Sequence, residues 1–198
     1  MTLEFTEEGH EYRWKGARVP GVTGLLEGLH SFAGVPMEIL EAARERGSRV
    51  HNVCQFFDEG DLDEDALKRD WPEEWGYLQG WKLFLEAARP NWTHIEEPVY
   101  HHVLRYAGKP DRRGALHVNG VHHQMAVVEI KTPEAAHPCW GVQLAAYAAA
   151  AGTPGMPRFS VQLGREGTYK IRQWQDPNDW PVFASLTTLE TWRSKHGL

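Results

Sequence analysis

The segment from Ala126 to Lys131 is the part of this sequence that most narrows the folds open to the chain. It begins with small and β-branched apolar residues, a pattern typical of a buried strand. Residues two apart in a strand face the same side, so Glu129 and Lys131 point together, while Val128 and Ile130 enter the opposite packing layer. The chain is therefore expected to build a sheet in which one buried strand carries a carboxylate and an ammonium group side by side.

This strand ends a predicted three-strand meander of Ile95–Leu104, Tyr106–Val118 and Val121–Thr132, with a two-residue hairpin turn at Asn119-Gly120. Helices are predicted over residues 36–57, 63–69, 73–88, 138–151 and 179–195, and hairpins over 3–14 and 159–174. Thr23 is expected to cap a short helix. This order predicts a single α/β or α+β domain over residues 1–198, with a helical part over about 20–90, a core over about 91–175 and a terminal helix over about 179–195.

Composition excludes several classes of protein. The chain has 198 residues, a formal net charge of −6 and two cysteines. Two cysteines are too few for a disulfide framework or for a four-thiolate zinc or iron–sulfur site. The negative charge argues against a generic basic coat for nucleic acid, yet leaves room for a nuclease with a local basic groove and acidic metal ligands. No apolar run spans a bilayer and the acidic N-terminus is unlike a signal peptide, so we expect a cytoplasmic protein with no membrane partner.

A second carboxylate, Asp111, lies on the neighbouring strand of the predicted meander. Two carboxylates that converge from adjacent strands form a site for a hard cation, Mg²⁺ or Mn²⁺. Lys131 could then hold or activate a metal-bound water. Gln143 and Tyr147 are four residues apart on the next helix, so they share one face and are expected to reach towards a phosphate or the metal shell.

The order of these residues resembles the PD-(D/E)XK nuclease superfamily, and in particular its RecB-like and phage exonuclease branch. Four motifs carry the resemblance: Gly47-x-x-x-His51, Glu96-Glu97-Pro98, Pro110-Asp111 with Glu129-Ile130-Lys131, and Gln143-x-x-x-Tyr147. An early Pro-x-Val-Thr segment, from Pro20 to Thr23, is also similar to phage members. The chain departs from the family at Thr132-Pro133, where many relatives have Thr-Gly, and this change stiffens the exit from the strand without removing a ligand.

The resemblance implies a restriction-endonuclease-like core, with a mixed central sheet flanked by helices and a helical N-terminal section. It implies that Asp111, Glu129 and the Ile130 carbonyl bind Mg²⁺ or Mn²⁺, with His51 as an additional metal ligand. Lys131 would orient the attacking water for hydrolysis of a phosphodiester.

Further roles follow from the same resemblance. Glu97, or Glu96 if the register differs by one residue, would be an outer-shell or second-metal ligand. Gln143 and Tyr147 would contact DNA phosphate or support the site. Independently of the resemblance, charge makes several basic residues candidate phosphate contacts, and Arg112 and Arg113 are the expected ones among them; the others are Arg44, Arg46, Arg49, Arg105 and Lys109.

The implied function is a metal-dependent DNA nuclease, more readily an exonuclease than a sequence-specific endonuclease because nothing resembles a recognition domain. The resemblance points to phage-type recombination, repair or processing of linear single- or double-stranded DNA in a bacterial cytoplasm, beside a single-strand-annealing protein. Two alternatives stay open: an inactive nucleic-acid-binding or assembly protein of the same fold, and a metal-dependent hydrolase of a small substrate. A basic groove at the carboxylates would favour DNA, and a closed apolar pocket would favour the small substrate. Polarity, the number of metal ions and a homo-oligomeric state are left open.

Overall fold

A computed structural model describes residues 2–29 and 36–198. Its strands in chain order are β1 Leu3–Thr6, β2 Glu11–Trp14, β3 Ala17–Val19, β4 Asn91–Ile95, β5 Val99–His101, β6 Tyr106–Gly108, β7 Arg112–Val118, β8 Val121–Lys131, β9 Arg158–Gly164 and β10 Thr168–Gln173. Its α-helices are α1 Val22–Leu26, α2 Met37–Glu59, α3 Glu64–Asp70, α4 Pro72–Ala88, α5 Cys139–Ala150 and α6 Asp179–His196, and a 3₁₀ turn spans Glu27–Leu29.

The centre of the fold is a five-stranded mixed sheet in the order β10-β9-β8-β7-β4. The pair β8 and β9 is parallel, and the other neighbouring pairs are antiparallel. A parallel pair needs a crossover connection, and here the crossover contains α5. The expected mixed α/β fold with a central sheet and flanking helices is confirmed.

Helices cover both faces of this sheet. Val128 and Ile130 pack in one core with residues of α2 and α4, such as Trp81. Val127 packs in a second core with residues of α1, α5 and α6. Because side chains alternate along β8, Glu129 and Lys131 lie on the α5 side of the sheet. The predicted division of this strand between two layers is confirmed.

The predicted three-strand meander is wrong in its first two segments. Residues 95–104 do not form one strand: β4 ends at Ile95 and pairs with β7, whereas β5 and β6 form a separate two-stranded sheet. Glu96 and Arg105 have positive φ angles of 48° and 53°, which interrupt an extended chain. The second segment is split between β6 and β7, where Pro110 cannot donate a ladder hydrogen bond.

The N-terminal part contains one strand more than predicted. The strands β1 and β2 are confirmed, and β3 completes an antiparallel three-stranded sheet with them. This small sheet is joined to β5 by Trp14, whose ring stacks on Tyr100 with centroids 4.3 Å apart. Thr23 is not a cap, because α1 already begins at Val22, with Gly21 as its first flanking residue.

The long helices match the prediction to within two residues at each end. Gly60 closes α2 in the left-handed conformation with φ 79°, as expected for a helix stopped by glycine. Across residues 2–29 and 36–198, we find no helix with the length and apolar character needed to cross a membrane.

Candidate metal centre

Asp111 and Glu129 meet at one end of the central sheet. Arg112 at the start of β7 pairs with Val128 near the end of β8, so Asp111 lies opposite Glu129. Two hydrogen bonds fix them: the Ile130 N–H donates to Asp111 Oδ2 at 2.6 Å, and the Asp111 N–H donates to Glu129 Oε1 at 3.1 Å. Both carboxylates are buried. The predicted convergence of these two residues is therefore observed.

His51 reaches this point from α2. Its Nε2 lies 3.1 Å from the carbonyl oxygen of Ile130, and its Nδ1 lies 3.1 Å from Asp111 Oδ1. The side chain is partly exposed. The His51 imidazole thus contacts both the Asp111 carboxylate and the main-chain carbonyl of Ile130.

Glu96, and not Glu97, faces the site. A ligand atom of Glu96 lies within 4.8 Å of ligand atoms of His51 and Asp111. The Glu97 side chain is 54% exposed and lies near His94 and Arg113 instead. Glu96 lies just after the end of β4 and has a positive φ of 48°. Of the two alternatives that the resemblance left open, Glu96 is the one that lies at the site, and the first choice, Glu97, is corrected to it.

Lys131, Gln143 and Tyr147 form a chain of hydrogen bonds beside the carboxylates. The Lys131 ammonium donates to Glu129 Oε2 at 3.0 Å and to Gln143 Oε1 at 2.9 Å. The Gln143 amide donates to the Tyr147 hydroxyl at 3.1 Å. Tyr147 is buried, so it supports Gln143 and offers no surface to a phosphate. The shared face of these two helical residues is observed.

Arg112 and Arg113 are not available as phosphate contacts. The Arg112 side chain is fully buried and donates to Asp58, Glu96 and the Asp111 carbonyl. Arg113 is also buried, with Glu97 3.7 Å away. Charge alone suggested these residues, and no local pattern indicated that a central strand would bury them. Their assignment to DNA binding is corrected.

Asp58 and Trp81 are two residues of this network that sequence reasoning missed. Arg112 Nε donates to Asp58 Oδ2 at 2.7 Å, and Trp81 Nε1 donates to Asp58 Oδ1 at 2.9 Å. Asp58 lies in the last turn of α2. In the sequence it belongs to an acidic run that indicates only where the helix ends. A buried arginine needs a paired carboxylate, and the indole satisfies the second oxygen of that carboxylate.

Burial and neighbouring charges shift the pKa values of the two central carboxyl groups, Asp111 and Glu129, in opposite directions. Burial raises the pKa of Glu129, and the adjacent Asp111 carboxylate raises it further, to about 7. Burial opposes the ionised form of Asp111 too, but His51 and Lys131 outweigh it, so the pKa of Asp111 is lowered. For His51, burial disfavours the cation, yet the Asp111 carboxylate raises its pKa overall. One carboxylate is therefore ionised and the other titrates near neutrality, a pattern concentrated at functional sites.

The donors fit a divalent cation. His51, Glu96 and Asp111 offer one nitrogen and two carboxylate oxygens, and the Ile130 carbonyl lies beside them. Carboxylate and carbonyl oxygens suit Mg²⁺ and Mn²⁺, and imidazole is a ligand of transition metals. Glu129 sits next to this cluster, with its oxygens occupied by the Asp111 N–H and by Lys131.

A polar concavity of about 660 Å³ begins at Thr132, directly after Lys131. Its charged lining consists of three cations and three carboxylates: Arg46, Arg165, Lys170, Glu73, Glu134 and Glu166. This concavity is open and mixed in charge, so it is neither the basic groove expected for DNA nor a closed apolar pocket.

No family model matches the sequence, and no curated protein matches it significantly.

Proposed function

We propose that this chain is a metal-dependent deoxyribonuclease of the PD-(D/E)XK superfamily, in its RecB-like and phage exonuclease branch. The observation that carries the proposal is the meeting of Asp111, Glu129 and Lys131 at one end of two adjacent central strands. A binding module has no need of that trio. His51 and the Ile130 carbonyl add two donors that such a nuclease site would use.

The order of elements supports a restriction-endonuclease-like core. A helical layer, α2 and α4, covers one face of the antiparallel strands β4, β7 and β8. The crossover helix α5 covers the other face and leads into the parallel strand β9. The carboxylates and Lys131 therefore lie within reach of side chains from two helices, His51 of α2 and Gln143 of α5.

The charge balance around the site is compatible with a phosphodiester, as with any other singly charged anion. Seven ionisable side chains form a connected network: Asp58, Glu96, Asp111, Glu129, Lys109, Arg112 and Lys131. Four carboxylates and three cations leave one negative charge when all are ionised and His51 is a neutral ligand. A divalent cation changes this to one positive charge, which one phosphodiester would neutralise. A neutral small substrate would leave that charge unbalanced.

The residues of the chain take distinct roles in this proposal. His51, Glu96, Asp111 and the Ile130 carbonyl would hold Mg²⁺ or Mn²⁺, and Glu129 would complete the site. When bound, the metal ion would polarise a phosphoryl oxygen and help to generate the nucleophile. Lys131 would orient the attacking water.

Gln143 and Tyr147 act through Lys131. The Gln143 carbonyl oxygen accepts a hydrogen bond from Lys131 Nζ and so fixes the direction of the ammonium group. The Tyr147 hydroxyl accepts a hydrogen bond from the Gln143 amide and so fixes the amide in turn. Glu129 accepts the second hydrogen bond of the same ammonium group. Lys131 is therefore held between two acceptors, as an orienting group must be.

The test is degradation of end-labelled linear DNA, single- and double-stranded, with Mg²⁺ or Mn²⁺, beside covalently closed circular DNA. Wild type should degrade the linear forms, and Lys131→Ala should not; because this variant removes the ammonium partner of buried Glu129, thermal denaturation must verify that it folds. Cleavage of the closed circle would indicate an endonuclease. DNA binding without cleavage by wild type in either metal would favour the inactive binding protein.

A further inference from the structure

The cations around the carboxylates differ in whether they can meet a substrate. Arg112 is fully buried, and Arg113 and Lys131 have side chains only 10% and 14% exposed. The Lys109 side chain is 21% exposed, the most of these four, and it lies in the short link between β6 and β7. Lys109 is thus the cation of this set that a bound phosphate reaches most easily.

Lys109 is held beside the candidate metal ligands. Its Nζ lies 3.1 Å from Glu96 Oε2. The other oxygen of Glu96 accepts from Arg112 at 3.3 Å, and that same guanidinium nitrogen donates to the Asp111 carbonyl at 2.7 Å. Glu96 therefore keeps a buried cation when Lys109 turns away. The Lys109 ammonium can exchange its partner without leaving a buried carboxylate unpaired, which would be costly.

The N-terminal sheet supports Lys109 from the outer side. Lys109 Nζ lies 5.1 Å from the centroid of the Phe5 ring, within cation–π range. The Phe5 ring packs in turn against His10 and Tyr12, with centroids 5.0 and 4.8 Å away. The aromatic side of β1 and β2 thus forms a wall next to the carboxylate site. A cation held between a ring and a carboxylate has a restricted set of positions, which reduces the entropy lost on binding.

We propose that Lys109 is a phosphate-binding residue of this site and that it contacts the backbone of a nucleic acid strand at the carboxylates. Before substrate binds, Glu96 and Phe5 hold its ammonium group in position. The inference deepens the proposed nuclease function and rests on it. It adds a substrate contact that the motifs do not include, and it makes the N-terminal sheet part of the substrate site.

The test measures DNA binding without cleavage. Binding of a fluorescent oligonucleotide in EDTA is followed by anisotropy at several NaCl concentrations for wild type, Lys109→Ala, Lys109→Arg and Lys15→Ala. Lys15 is the matched control, because its ammonium also lies over an aromatic ring of the N-terminal sheet, 5.9 Å from Trp14. Thermal denaturation of each variant confirms that it folds.

The loss of one phosphate contact has a defined signature. Lys109→Ala should weaken binding about tenfold and reduce the slope of log K against log salt by about 0.9 for duplex or about 0.7 for a single strand. Lys109→Arg should restore most of the affinity, and Lys15→Ala should change neither quantity. Glu96→Gln should tighten metal-free binding by releasing Lys109, and adding Lys109→Ala should reverse that gain.

Other results overturn the proposal. Equal effects of Lys109→Ala and Lys15→Ala, weaker binding with an unchanged salt slope, or no DNA binding by wild type would each do so. The nuclease proposal fails separately: a clear Lys109 effect on binding with no cleavage in Mg²⁺ or Mn²⁺ would contradict the nuclease and leave Lys109 as a phosphate contact. Cleavage with no Lys109 effect would contradict the Lys109 proposal alone.

Discussion

The main-chain N–H of Ile130 donates a 2.6 Å hydrogen bond to Oδ2 of Asp111, across the two central strands of the sheet. This bond leaves the other carboxylate oxygen, Oδ1, facing His51 Nδ1 at 3.1 Å. The carbonyl of the same Ile130 faces the second ring nitrogen of His51, also at 3.1 Å. Two residues on neighbouring strands thus present two oxygens to one histidine, and this arrangement is the frame of the candidate metal centre.

Glu96 and Glu97 form a matched pair for testing the metal ligands. Glu96→Gln removes a charged oxygen next to His51 and Asp111, so Mn²⁺ affinity measured by calorimetry should fall by at least about tenfold. Glu97→Gln removes a half-exposed charge directed elsewhere and should leave the affinity unchanged. If Glu97→Gln weakens binding and Glu96→Gln does not, the placement of these two residues is wrong.

Metal binding should strengthen as pH rises through neutrality. Burial and the Asp111 carboxylate raise the pKa of Glu129 to about 7, and Asp111 raises the pKa of His51. Both groups hold a proton on the acid side, and a cation must displace it, so the dissociation constant for Mn²⁺ should be larger at about pH 6 than at about pH 8 by roughly tenfold or more. Calorimetry in two buffers of different ionisation enthalpy counts the protons released. An affinity independent of pH, with no proton release, would contradict this.

Arg112 should contribute strongly to stability. Arg112→Met leaves Asp58 and Glu96 buried without their guanidinium partner, so the free energy of unfolding should fall by about 3–5 kcal/mol. Arg18, with a side chain 72% exposed beside Glu11, provides the control: Arg18→Ala should change stability by less than about 1 kcal/mol. Urea denaturation measures both. Similar losses for the two variants would show that the buried network is not a stabilising unit.

A substitution at Gly108 tests whether Tyr147, which holds Gln143 and through it Lys131, is needed for activity. A Cβ at this position would lie 2.4 Å from Tyr147 Cε1 and 2.8 Å from Val22 Cγ2. Gly108→Ala should therefore displace Tyr147, destabilise the protein by about 1–3 kcal/mol and lower the rate of DNA cleavage, because Tyr147 holds Gln143. A Cβ at Gly155 meets nothing within 4 Å, so Gly155→Ala should stay within about 0.5 kcal/mol of wild type. If Gly108→Ala changes neither the free energy of unfolding nor the cleavage rate, the close packing of Gly108 on Tyr147 is contradicted.

Strand and helix periodicity could predict the parts of the site that regular structure fixes. Alternation along β8 placed Glu129 and Lys131 on one side, and helical spacing placed Gln143 and Tyr147 on one face, as observed. The motif spacing singled out His51, which does meet Asp111. In each of these cases a regular backbone decides the direction of the side chain.

Irregular backbone and burial could not be predicted in the same way. The resemblance left both Glu96 and Glu97 open, and because both follow the end of β4, where Glu96 has a positive φ, strand alternation could not decide between them. Arg112 carries the same charge as an exposed arginine, and nothing local reveals the buried partner that Asp58 supplies from a helix 54 residues earlier. These contacts depend on tertiary packing, which no local pattern encodes.

The central claim is that the cluster around Asp111 drives metal-dependent hydrolysis of DNA. Its most direct test is the cleavage rate of an end-labelled linear duplex in Mg²⁺ and Mn²⁺ by wild type and by Asp111→Asn, with folding of both verified by thermal denaturation. We predict cleavage by wild type that EDTA abolishes, and a rate at least about 100-fold lower for Asp111→Asn. No cleavage by folded wild type in either metal, or equal rates for the two proteins, would contradict the account.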